Sequence, residues 1–237
     1  MRTLSFIFVC IFAVSISAQS SSVTRPFNDG TRSANAGKFE KALSNYLAAS
    51  EATKGESIDR NYLARLHYNL GVCEFRLGQN EQAVSEFDQA IQLKGDYPRA
   101  HYALGMAEST RQNWSKARLA FLEALRSNRA NGEVWFDLAF AYLGEKDVAN
   151  AETAFRNSIA NKSVDSALGH NNVGVLLAIR GDLNAAEKEF EAALRSSDGK
   201  LTLAQSNLDY CRAHAAESLG VAVKSGFAYA GRTDTML

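Results

Sequence analysis

The chain is built from copies of itself. "YNLGVCEFRLGQNEQAVSEFDQAIQL" (68–93) aligns with "YALGMAESTRQNWSKARLAFLEALRS" (102–127) at an offset of 34 residues. "FDLAFAYLGEKDVANAETAFRNSIAN" (136–161) follows 34 further on, and "NNVGVLLAIRGDLNAAEKEFEAALRS" (171–196) another 35 after that. A more divergent copy, "FNDGTRSANAGKFEKALSNYLAASEA" (27–52), comes first, with seven extra residues before the second. Similarity at such a period means one supersecondary unit used again and again, each copy resting on its neighbours.

Three positions keep the beat. A small residue recurs at Gly30, Gly71, Gly105, Ala139 and Gly174, and a second at Ala42, Ala83, Ala117, Ala151 and Ala186. An aromatic follows four residues after each of the latter: Tyr46, Phe87, Phe121, Phe155 and Phe190. Another small residue comes three later, at Ala49, Ala90, Ala124, Ser158 and Ala193. Apolar residues at i, i+3 and i+4, broken by "LGQN", "RQNW", "EKDV" or "RGDL", read as two short helices per unit. Proline is confined to Pro26 and Pro98, which also favours helix. Small residues let the paired helices approach, and the ring fills the space between them. One unit cannot bury its apolar face alone, so the units must stack.

The pattern resembles the tetratricopeptide repeat family over about residues 23–200. Two features depart from it. The large aromatic early in the first helix is Trp135 in one copy but His67, His101 and His170 in three others, and the proline that closes each unit is mostly absent. The resemblance implies an all-α, right-handed solenoid of about five helix-turn-helix repeats, near 23–56, 64–97, 98–131, 132–165 and 167–200. "LTLAQSNLDYCRAHAAESL" (201–219) reads as a further amphipathic helix capping the last pair. The rest, 220–237, has no clear period and is expected to be a flexible tail.

The first residues stand apart. Arg2, the apolar "LSFIFVCIFAVSIS" and the small residues of "SISAQS" have the layout of a secretory signal peptide, 1–18, with a linker at 19–22. Cleavage is expected after Ala18, Ser17 being the alternative because Ile16 is not ideal three places from the Ala18 cut. The apolar run is shorter than the ~20 residues of a membrane span. An exported product, in the periplasm or outside the cell, is the expectation, with no integral membrane span after cleavage; an uncleaved anchor is the alternative.

Chemistry is sparse. Lys+Arg and Asp+Glu are each 26, so no basic excess draws the chain to nucleic acid. His67 and Cys73, six residues apart on a helix, point about 120° from each other and cannot share a ligand. His67, His101 and His170 occupy one place in different units, roughly 10 Å apart between neighbouring units, too far for one zinc. Cys73 and Cys211 lie four repeats apart, beyond the ~5.5 Å of a disulfide; both read as core. No catalytic residue, cofactor site or metal site is assigned, and the chain reads as a non-enzyme.

What remains is a surface. In the family the first helices line a concave groove. Carrying those positions over gives Tyr68, Val72, Phe75 and Arg76, then Arg99, Tyr102, Met106 and Ser109, then Glu133, Phe136, Phe140 and Leu143, then Asn171, Val175 and Ala178. With Arg65 these imply an apolar, aromatic ladder for a protein or peptide partner, a helix or extended segment rather than an acidic tail. Alternatives are ordinary packing, cover by the chain's own "GVAVKSGFAYA", or carriage of a lipid or small apolar molecule in the same groove.

Overall fold

A computed structural model describes residues 21–162 and 166–214, so the expected leader (1–18) and tail (220–237) lie outside the described residues. Within them the chain is all-α and contains no strand. The helices are α1 (Ser21–Asn35), α2 (Phe39–Ala52), α3 (Arg60–Arg76), α4 (Asn80–Leu93), α5 (Pro98–Thr110) and α6 (Trp114–Ser127). α7 (Gly132–Gly144), α8 (Val148–Ala160), α9 (Ser166–Arg180), α10 (Leu183–Ser196) and α11 (Thr202–His214) follow. Each odd helix packs most extensively on the even helix after it, and each even helix on the next odd one, down to α11 on α10. This is a one-dimensional stack of five hairpins and a closing helix, a solenoid. α1 begins at Ser21, two residues inside the segment read as linker.

The turn inside each hairpin is made the same way. One residue per unit takes a left-handed conformation, at Gly37, Gly78, Gln112, Lys146 and Gly181. It closes the first helix, as the amide of Gly78 to the carbonyl of Phe75 and that of Gln79 to Glu74 show. Glycine does this without strain; Gln112 and Lys146 carry a Cβ into a region that costs them about 1 kcal/mol.

Packing inside the hairpin rests on a missing atom. A Cβ added at Gly71 would lie 2.7 Å from the ring of Phe87, at Gly105 2.5 Å from Phe121, and at Gly174 2.7 Å from Phe190. The ring of the second helix therefore lies against bare backbone of the first. All four of Phe87, Phe121, Phe155 and Phe190 are fully buried, with Ala83, Ala117, Ala151 and Ala186 beside them. α11 covers the last hairpin with Ala204, Leu208 and Cys211, all buried, which hides the apolar face a final unit would otherwise expose.

Candidate functional site

Direct contact between like helices runs along the row of first helices, α1 to α3, α3 to α5, α5 to α7 and α9 to α11, and no pair of second helices matches it among the described residues. First helices are therefore the crowded, inner side of the stack. Three aromatic pairs repeat along it: Tyr68 with Phe87 at 6.0 Å, Tyr102 with Phe121 at 5.9 Å and Phe136 with Phe155 at 5.5 Å. Phe140 completes a triangle of edge-on rings with Phe136 and Phe155.

These contacts divide the expected groove residues. Tyr68, Met106, Phe136, Asn171 and Val175 are buried, the last three to 0% exposure. This corrects the expectation that they form a ladder open to a partner: Tyr68 and Phe136 lie against the rings of Phe87 and Phe155, Met106 and Val175 lie in the hydrophobic core, and Asn171 is hydrogen-bonded to Asn207 and Asn172. Val72, Phe75, Tyr102 and Phe140 are half-buried and keep an accessible edge. Arg65, Arg76 and Arg99 are exposed, but none stands alone. Arg65 lies over Phe27 and Tyr62, Arg76 over Phe39, and Arg99 over Tyr68, at 5.2–5.9 Å from the ring centroids. They form a cationic cover over aromatic rings rather than a clamp for one carboxylate.

Polar groups that spacing alone did not single out lie deeper. The Tyr102 hydroxyl donates to Asp137 at 2.6 Å. Asn207 of α11 donates to Asn171 at 2.8 Å, and Asn171 to Asn172 at 3.1 Å. Asp137, Asn172 and Asn207 sit at one register position, 35 residues apart each time, and all three are buried. That periodicity was the available signal.

The four ring residues at the head of the first helix behave in two ways. His67 Nδ1 lies 2.7 Å from Glu86, and His170 Nδ1 2.7 Å from Glu189, each within its own unit. His101 instead meets the carbonyl of Gly95 at 3.1 Å, and Trp135 donates to the carbonyl of Arg129 at 2.7 Å, the same place one unit on. Glu is present opposite the first pair; Ala120 and Ala154 stand there for the second, so those rings turn to the loop.

Around His67 the charge is poorly matched. Burial, and secondarily the charge of Glu86, pushes the Glu74 carboxyl up to about 7, and its Oε2 is buried with no hydrogen-bond partner. One unit on, Glu108 accepts from Arg111 at 2.8 Å and from Asn113 at 2.6 Å. Burial, then Glu74, pushes the Cys73 thiol up to about 11, which keeps it a thiol at neutral pH. Burial raises Cys211 as well. Both cysteines are free and buried. Among the described residues no three His, Cys, Asp or Glu side chains converge on a metal-sized site, and no helix is long and apolar enough to cross a membrane.

Comparison with known proteins agrees with this geometry. A "TPR repeat" profile matches residues 74–108, and a "Tetratricopeptide repeat" profile matches 102–166 and 141–200. A segment of 128 residues, 51% of this chain, is 27% identical to the protein O-mannosyl-transferase TMTC3 of Mus musculus. It spans 14% of that protein's length. MamA (41-end) of Desulfovibrio magneticus RS-1 has a similar fold, with a TM-score of 0.69 at 17% identity over 78% of this chain and 99% of that one. TTC0263, a thermophilic TPR protein of Thermus thermophilus, gives 0.54 at 15% identity over 80% and 98%. At such identities the likeness is one of fold.

Proposed function

The chain belongs to the tetratricopeptide-repeat family, and we propose that it is an exported, non-enzymatic adaptor that holds a segment of a protein partner along its row of first helices. The observation that carries this reading is the strip of half-buried apolar edges, Val72, Phe75, Tyr102 and Phe140, flanked by Arg65, Arg76 and Arg99. A rigid stack presents that strip without conformational cost, and an apolar helix or extended segment with few acidic groups suits it. The arginines are occupied by aromatic rings, which speaks against a clamp for a free C-terminal carboxylate. Export rests on Arg2, the apolar run after it and the small residues Ser15, Ser17 and Ala18, which lie outside the described residues.

A photo-crosslinking amino acid placed at Val72 or Phe75 in producing cells should trap one discrete partner, while the same group at the outward Ser44 should not. Equal trapping at all three positions, or none at Val72 and Phe75, ends this reading. Sequencing the N-terminus of protein recovered outside the cytoplasm should begin at Gln19.

A further inference from the structure

The outward face of the third unit differs from the rest. At two outward positions of the second helix the other units carry Ser44, Ser85, Thr153 and Lys188, and Leu47, Asp88, Arg156 and Glu191. The third unit carries Leu119 and Leu122, 56% and 36% exposed. Four units fold without this pair of leucines, so the repeat does not require it, and two adjacent exposed leucines on one helix have a cost in water that the fold does not explain.

A cleft lies on each side of them. Toward α5 is one of about 400 Å³, whose apolar walls include Ile91, Leu104 and Leu119, with Asp88, Glu108 and Glu123 among its charges. Glu108 is balanced by Arg111 at 2.8 Å and Lys116 at 3.8 Å, and Glu123 by Arg126 at 3.5 Å, which leaves Asp88 as the carboxylate of this cleft without a salt bridge among the described residues. It exists because Ala120 stands where Glu86 and Glu189 stand in other units, and because His101 is turned to the Gly95 carbonyl. Toward α7 is a second cleft of about 250 Å³, between Leu122, Leu125 and Trp135, and its charged groups are Arg126 and Arg129. One face thus carries an apolar ridge with the Asp88 carboxylate in the cleft on one side and the Arg129 guanidinium in the cleft on the other.

We propose that this face binds a second copy of the chain, in a homodimer whose two-fold axis runs parallel to α6. Such an axis lays the Asp88 side of each copy over the Arg129 side of the other, and brings Leu119 of each toward the Leu122 side of its mate. A closed, self-complementary contact results. A two-fold in the interface plane but across α6 would set Asp88 against Asp88 and Arg129 against Arg129, so charge selects the first arrangement. The proposal stands independently of the inner-face reading, since it uses none of those residues.

Sedimentation velocity of the full chain tests it. The wild type is expected to sediment as a dimer within a range of about 1–100 µM, the span of an ordinary reversible contact. Leu119→Lys with Leu122→Glu places there the residues the fifth unit carries, Lys188 and Glu191, so the helix accepts them. That variant should keep its helical circular dichroism and weaken dimerisation by at least about 100-fold. Asp88→Arg alone should weaken it about tenfold, and adding Arg129→Asp should restore it. A wild type that stays monomeric throughout, or a double-leucine variant that dimerises unchanged, overturns the proposal. A dimer indifferent to both charge swaps overturns the stated axis, and with it the proposed interface.

Discussion

The second and fifth units carry the same motif in different company. His67 meets Glu86 and His170 meets Glu189 at the same 2.7 Å. In the fifth unit the preceding unit supplies Arg156, which donates to Glu189 at 2.9 Å and to Glu152, where Arg180 joins at 3.1 Å. Burial opposes the Glu189 charge, but the hydrogen bonds from His170 and Arg156 outweigh it and hold its carboxyl below the ordinary range. In the second unit the place of Arg156 is taken by Leu47, 53% exposed, and Glu74 adds a carboxyl where the fifth unit has Leu177. Identical local geometry therefore sits in different electrostatic surroundings, because a repeat's charge balance is completed by its neighbour. A motif in a solenoid must be read with the unit before it.

Breaking what the two units share gives the largest effect. Gly71→Leu or Gly174→Leu drives a side chain into Phe87 or Phe190, and each should cost about 3 kcal/mol in a chemical denaturation experiment. Equal costs would show that the ring-on-backbone contact is indifferent to the surrounding charges.

The pH response should separate them. Glu74 has a raised folded value, so its contribution is whole below the unfolded value of 4.5 and is lost as pH rises through about 7. Between pH 5 and 8 the wild type should lose on the order of 1–2 kcal/mol relative to Glu74→Gln, solvent screening having reduced the full effect. Glu189 has the opposite sign: its lowered folded value contributes stability above the unfolded 4.5, lost as pH falls below it. Denaturation midpoints of Glu74→Gln and Glu189→Gln across pH 3–8 should therefore diverge in opposite directions.

A smaller effect concerns the turns. The second and fifth units have Gly78 and Gly181 in the left-handed position, while the third and fourth have Gln112 and Lys146. Gln112→Gly and Lys146→Gly should each raise stability by up to about 1 kcal/mol, measurable as a rise in Tm. The mildest test exchanges the neighbours. Arg156→Leu should cost about 1 kcal/mol, screened by salt, and Leu47→Arg should recover a few tenths by reaching Glu86. No response to Leu47→Arg would mean that Glu86 is already served by His67.

Periodicity made the hairpins, their turns and their central rings legible in the sequence, since Gly71, Ala83 and Phe87 recur in step with every neighbour. The inner face was legible only in part. Spacing placed Phe136 and Phe75 on the same side of their helices, yet one is fully buried and the other half-exposed. A helix face about 100° wide serves both the groove and the hairpin core, and which residue goes to which depends on how completely the neighbouring helices enclose it, since Tyr102 and Phe140 touch Phe121 and Phe155 and still keep an edge. The polar register of Asp137, Asn172 and Asn207 shows that α11 enters the series as a sixth first helix.

The unit, the number of copies and the order in which they stack were thus already written in the residues, because each rests on local spacing and on contacts between adjacent copies. Which aromatics remain accessible, which carboxylate finds a cation, and that the apolar ridge of α6 stands between Asp88 and Arg129 emerge only once the chain is folded. Those outcomes depend on side chains from different units meeting at distances of a few ångströms, where burial strengthens or penalises a charge according to its partners. A residue's own period carries no record of that meeting.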